Sequence, residues 1–159
     1  MSTTASTTPV VSPADWIAMH NLVMTYAEAI DTKDWQLFRT CFTEDCYMTY
    51  GEPWGPIDGI DDLADFVEYF HEPLDNSRHG TTNFRIDAIS GARASGRCSV
   101  DALLVQAGAP GGDTLRVVGA YVDRFIKTDD GWRFAHRVFT PIHNEGNPQI
   151  GGWDWQRRR

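Results

Sequence analysis

Up to Pro73 the apolar residues recur at helical spacing, and after it they alternate in long runs bounded by turn residues. Trp16, Val23, Tyr26, Ala27 and Ile30 build one apolar face, the recurrence that buries one side of a helix. Ser12-Pro13-Ala14-Asp15 reads as the start of that helix. It offers a serine cap, a proline in the first turn, and an acid near the positive end of the dipole. Residues 34–42 predict a second, shorter helix packed on the first, and residues 46–51 a short strand rich in Tyr and Thr. Residues 51–59, with two prolines and Trp54, predict a loop. Residues 61–71 predict a third helix with Leu63, Phe66, Val67 and Phe70 along one side.

Four long strands follow, at 81–90, 95–106, 114–127 and 132–142. Their breaks are turn chemistry: Gly91, the glycine-rich loop 108–112, and Asp129-Asp130-Gly131. Such short connections join antiparallel neighbours. The class is therefore α+β, with three N-terminal helices packed into a strongly curved, mostly antiparallel sheet. That arrangement forms a cone with an internal pocket at its open end. The domain is expected at 13–145, behind a disordered leader at 1–12 and ahead of a C-terminal tail at 146–159.

Composition narrows the field. A chain of 159 residues, 42% hydrophobic and 23% charged, buries a core without disulfides or metal and matches a soluble globular domain. A formal charge of −8 argues against nucleic acid as a partner, and Arg157-Arg158-Arg159 is too short to reverse it. Three cysteines, odd in number and without a CxxC pair, fit a reduced cytoplasmic setting. No stretch reads as a membrane span or a signal peptide. Six Trp, five Tyr and eight Phe suit a roomy apolar pocket and an oligomer interface equally.

Two residues carry candidate chemistry. Asp31 closes the first helix, where the negative end of the dipole disfavours a carboxylate. It therefore either caps the second helix or meets a partner brought by the fold. His79, in Ser77-Arg78-His79-Gly80-Thr81-Thr82-Asn83, is the candidate partner, since a carboxylate that orients an imidazole makes a proton-transfer base. Alone, His79 reads as a surface histidine. An unbroken pleat would group it with Asn83, Arg85 and Asp87 on a solvent face, and a bulge or turn near Gly80, which a glycine permits, would reverse that. The same parity groups Arg137 with Arg133, Phe139 and His143, opposite Trp132, Phe134 and Val138. The histidines at 20, 71, 79, 136 and 143 lack metal-ligand spacing, and no phosphate-cradling glycine motif or GxSxG is present. No metal and no cofactor are expected.

The run Tyr26-x-x-x-Ile30-Asp31-x-x-Asp34-Trp35-x-x-Phe38-x-x-x-Phe42, followed by Asp45, resembles the opening of the SnoaL-like family. That family belongs to the nuclear-transport-factor-2-like superfamily of cystatin-like α+β cones. His79-Gly80-Thr81-Thr82-Asn83 and Asp130-Gly131-Trp132-Arg133-Phe134 agree with it, and the resemblance spans roughly residues 16–140. The chain is similar to the branch that includes scytalone dehydratase, hexachlorocyclohexane dehydrochlorinase and the bile-acid 7α-dehydratases. It departs from that pattern at residues 107–113.

The resemblance implies Asp31, His79 and Tyr26 as catalytic groups, with Tyr50 and Arg137 binding substrate. It implies a cofactor-independent lyase of the dehydratase type, working by β-elimination, or a double-bond isomerase. The substrate would be a small hydrophobic cyclic molecule such as a steroid or polyketide. Two alternatives stand beside it: a non-catalytic cone-fold binding or assembly subunit, similar to the small subunits of ring-hydroxylating dioxygenases, and a polyketide cyclase. Self-association into a trimer or dimer is expected through the outer sheet face and Gly151-Gly152-Trp153-Asp154-Trp155.

Overall fold

The Ser12 hydroxyl accepts the Asp15 N–H at 3.0 Å and starts helix α1, Pro13–Asp31, in the computed structural model of the chain. Residues 10–155 are described; the remainder of the expected leader and the last residues of the expected tail lie outside them. Asp34 caps α2, Trp35–Thr40, by accepting the Leu37 N–H at 2.9 Å. The capping role open to Asp31 is therefore filled by Asp34. Strands β1 (Phe42–Thr49) and β2 (Pro56–Asp58) precede helix α3 (Ile60–His71). Strands β3 (Asn76–Ser90), β4 (Arg93–Val105), β5 (Thr114–Thr128) and β6 (Gly131–Gly146) follow among the described residues.

The strands form one open six-stranded sheet in the order β2-β1-β6-β5-β4-β3. The α+β class, with three helices on a mostly antiparallel sheet, is thus as expected. Two details differ. The expected loop at 51–59 contains β2, an edge strand paired antiparallel to β1. β1 starts at Phe42 and runs parallel to β6. Turn residues report only on strands joined by short connections, so a pairing between distant segments leaves no such mark.

Strand β4 shows which face is inside: Ala94, Cys98, Val100, Ala102 and Leu104 are buried, alternating with more exposed residues. α1 contributes Met19, Val23, Tyr26 and Ile30 to the same core, and α3 contributes Leu63, Phe66 and Val67. Directly paired antiparallel residues share a face, so His79, opposite Ala102, points inward.

The break in β3 that this requires lies at Asn83. Gly80 stays in register opposite Asp101, and the register slips between Thr82 and Arg85, with Asn83 at φ 55°. The break expected near Gly80 is found here, three residues on, where an asparagine tolerates the left-handed backbone. Beyond the slip Phe84 packs on the core and Ile86 is buried, while Arg85 turns outward. A second slip between Ile86 and Ala88 brings Asp87 to Arg85 and Arg97 at 3.0 and 3.5 Å. Gly96 lies opposite Ile86 between the two slips. A Cβ there would come within 2.6 Å of the Arg85 carbonyl oxygen, so only glycine allows this approach.

Strand β6 carries a comparable irregularity where β5 passes from Arg124 to Phe125. It leaves Ala135 as the extra residue, so Trp132, Phe134, Arg137 and Phe139 are all buried. The expected separation of Arg137 from Trp132 and Phe134 is corrected in the same way: a bulge breaks the alternation.

After β6 the chain returns onto α3. Gly152 N–H donates to the Phe70 carbonyl at 3.0 Å, Tyr69 donates to Asp154 at 2.6 Å, and Trp155 packs on Phe66 and Tyr69. The segment expected to serve self-association makes these contacts within its own chain. Cys41, Cys46 and Cys98 are free and buried, and no helix of the described residues is long and apolar enough to cross a membrane.

Replacing Asn83 by Val places a β-branched residue in the left-handed region and is expected to cost about 1–2 kcal/mol of stability. Asn83→Gly is expected to cost nothing. Urea unfolding of both variants checks the bulge: equal stabilities would refute it.

Candidate active site

Lys33 sits just beyond α1 and donates to the backbone carbonyls of Glu72 and Leu74, at 3.2 and 2.8 Å. It thereby ties the end of α1 to the connection between α3 and β3. This tether brings Asp31 against the first residues of β3. The Asp31 carboxylate accepts three hydrogen bonds there. The His79 backbone N–H donates to Oδ2 at 2.8 Å, the Ser77 hydroxyl donates to Oδ1 at 2.9 Å, and His79 Nδ1 meets Oδ1 at 2.6 Å.

These bonds answer the helix-terminus objection to a carboxylate. Burial alone would raise the Asp31 pKa, but the hydrogen bonds and charge of His79, with Ser77, outweigh it and hold the carboxyl below its usual value. The pair is partly shielded, the His79 side chain being 9% exposed and that of Asp31 22%. With Nδ1–H directed to an ionised carboxylate, Nε2 is left as the proton-accepting nitrogen.

His71 stands beside the pair, its ring centroid 6.0 Å from that of His79. Its Nδ1 lies 2.8 Å from the Val67 carbonyl oxygen. A carbonyl only accepts, so Nδ1 carries the proton. Burial, and then the charge of His79, push its pKa down to about 3. His71 is thus a neutral ring that adds no charge to the pair.

A second cluster is built around Arg137. Its Nε and Nη2 donate to the two Asp123 oxygens at 2.7 and 3.0 Å, and both residues are fully buried. The guanidinium carbon lies 3.9 Å from the Phe134 ring centroid, 4.1 Å from Tyr121 and 4.3 Å from Tyr26. Nη1 is buried and has no hydrogen-bond partner among the described residues. Burial works against the charged form, yet Asp123 reverses this and raises the arginine pKa. The Tyr26 and Tyr50 hydroxyls lie 3.1 Å apart, and burial raises both pKa values. Both phenols are therefore protonated. One proton serves their mutual bond, which leaves the other O–H able to donate.

The five sequence-predicted site residues thus fall into two groups: Asp31 with His79, and Tyr26 with Tyr50 and Arg137. α3 and the residue after its neighbouring strand join them through ring contacts running Tyr50–Phe66–Phe70–His71–His79, each between 5.2 and 6.1 Å. Ser77, His71, Tyr121 and Asp123 are additions that sequence reasoning missed. Ser77 shares the strand face of His79, two positions away. Asp123 stands in an alternating Tyr121-x-Asp123-x-Phe125 pattern, which marks it as an inward acid needing a cation. His71 gave no usable sign, because its tautomer depends on the Val67 carbonyl one turn earlier. Among the described residues no group of three or more His, Cys, Asp or Glu is placed to hold a metal.

A family model described as a SnoaL-like domain matches residues 14–138. Among solved structures, one assigned as an aromatic ring hydroxylase from Novosphingobium aromaticivorans is 25% identical, with a TM-score of 0.79 over 87% of this chain and 97% of that one. One assigned as a scytalone dehydratase from the same organism is 21% identical, with a TM-score of 0.78 over 87% and 91%. Hexachlorocyclohexane dehydrochlorinase LinA-type3 from Novosphingobium barchaimii is 19% identical, with a TM-score of 0.73 over 87% and 93%. These last two likenesses are of fold. No curated protein matches the chain.

Removing one partner of a buried ion pair leaves the other charge uncompensated, so Asp123→Ala is expected to lose about 3–5 kcal/mol. Chemical unfolding reads this directly, and a loss under about 1 kcal/mol would refute the pairing. His71 gives a pH-dependent prediction. Its folded pKa is depressed, so its contribution is complete above 6.5 and is lost as pH falls toward about 3. Between pH 7 and pH 5 the wild type should lose about 2 kcal/mol through this group. In His71→Gln that component of the slope should vanish, as measured by urea unfolding at the two pH values.

Proposed function

The chain belongs to the SnoaL-like domain family, and from that premise we propose that it is a cofactor-independent lyase of the dehydratase type. Double-bond isomerisation is the variant that the same groups would serve. The observation that carries this reading is the 2.6 Å contact between His79 Nδ1 and Asp31, reinforced by the Ser77 and backbone N–H bonds to the same carboxylate.

In the proposed elimination, His79 Nε2 takes a proton from a carbon next to a carbonyl or other unsaturation. The electrons of that C–H bond form the new double bond as the C–O bond on the neighbouring carbon breaks. The departing hydroxyl takes a proton from the imidazolium and leaves as water, so His79 returns to its neutral form. Asp31, ionised throughout, holds the tautomer and stabilises the imidazolium. The protonated Tyr26–Tyr50 pair would donate to the departing hydroxyl or to an enolising oxygen. Arg137 Nη1, with no acceptor among the described residues, would bind a polar or anionic edge of the substrate. The aromatic residues between the clusters support a small hydrophobic cyclic substrate, of the steroid or polyketide kind.

The second reading is a non-catalytic binding or assembly subunit. It is favoured by the rings of Tyr26, Tyr121 and Phe134 packed against Arg137 in the interior.

A panel of hydroxylated steroids and cyclic ketols separates the readings. The wild type is expected to dehydrate or isomerise at least one of them. His79→Ala should lose about 100- to 10,000-fold in kcat while its thermal midpoint stays close to that of the wild type. A His79→Ala protein as active as the wild type would overturn the proposal, and absence of turnover across the panel would favour the second reading.

A further inference from the structure

Residues of four strands line an open depression of about 540 Å³ near the Gly91 end of the sheet, with Arg93, Arg124 and Ala88 exposed along it. Register fixes its side. Ser95 pairs with Arg124, and Arg124 with His136, while Arg93 pairs with Ile126 one step nearer the strand ends. These β4 positions alternate with the buried Ala94, Cys98 and Val100. Their side chains therefore lie on the face turned away from the helices, opposite to His79. The volume falls within the range of about 300–1,000 Å³ usual for small-molecule sites.

The charge of this depression runs against that of the chain. The protein carries a formal charge of −8, yet the charged residues lining the depression are Arg93 and Arg124, joined by His136, with no Asp or Glu among them. Arg39, Arg85, Arg97 and Arg116 are each paired with an aspartate. Arg93 and Arg124 have no ion-pair partner among the described residues. The His136 ring is held by stacking on Tyr47, with centroids 4.4 Å apart and planes 9° apart. Much of the remaining wall is apolar, including Ala88 and Ile126.

We propose that this depression is a second small-molecule site, which binds an organic carboxylate with an apolar body. Arg93 and Arg124 hold the carboxylate, and Ala88 and Ile126 cover the body. A guanidinium fork matches the two oxygens of a carboxylate. The apolar walls add a burial term that an inorganic anion cannot use. The site is independent of the Asp31–His79 pair, which lies across the sheet.

Calorimetric titration of the full chain with 2-naphthoate, and with neutral 2-naphthylmethanol, tests this. Naphthoate should bind saturably, and Arg93→Gln and Arg124→Gln should each weaken it by about tenfold, the effect of losing one charge-assisted bond. Naphthylmethanol should bind more weakly and ignore both substitutions, as naphthoate should ignore His79→Ala and the exposed control Arg78→Gln. Absence of saturable binding at millimolar naphthoate would overturn the proposal, as would binding that both arginine variants leave unchanged. Binding abolished by His79→Ala would place the ligand inside the cone and also overturn it. So would sedimentation showing a dimer that the arginine variants dissociate, because the depression would then be an interface between copies.

Discussion

Arg137 carries its positive charge into the centre of the cone, where it can persist only because Asp123 lies directly across on the neighbouring strand. The surrounding architecture accommodates that pair. The bulge at Ala135 turns Arg137 inward beside Phe134, where an unbroken strand would have sent it to the other face. Tyr26, Tyr121 and Phe134 then offer the electron-rich faces of their rings to the guanidinium. Tyr26 in turn holds Tyr50 through their hydroxyls. One helix, two strands and the residue that follows β1 are thereby tied to a single buried cation.

The Asp31 contact works on a smaller scale and joins structure to chemistry directly. Its three hydrogen bonds fasten the end of α1 to the start of β3, and the same bonds hold the carboxyl in its ionised form. His71 beside them is kept neutral by burial, and the phenols across the cone are kept protonated by the same cause. Desolvation thus sets the protonation of His71 and of the two phenols, while His79 keeps its contact with the ionised Asp31.

Much of this was legible in the sequence because it was local. Ser12 and Pro13 marked the helix start, the glycines marked the hairpins, and alternation marked β4 with its buried even-numbered residues. The pairing of Asp31 with His79 was legible for a different reason: a carboxylate at a helix C-terminus is unfavourable enough to need a partner, and the resemblance to the SnoaL-like family implied His79 for that place. What escaped notice depended on registers between strands. Alternation assumes a perfect pleat, so both bulges displaced the expected faces, of β3 beyond Asn83 and of β6 around Arg137. The parallel pairing of β1 with β6 joins segments that no turn connects. His71 escaped because its role depends on one backbone carbonyl, which composition and spacing do not reveal.

The bulge at Asn83 has a consequence for how this chain can change over time. Upstream of it β3 is held by Asp31, and downstream it is held by the packing of Phe84 and Ile86. The irregularity uncouples the two halves, so repacking beyond it need not rotate His79 out of place. A strand that reads as one continuous segment thus behaves as two modules in series. The first can keep its hold on Asp31 while the second drifts to suit a different core.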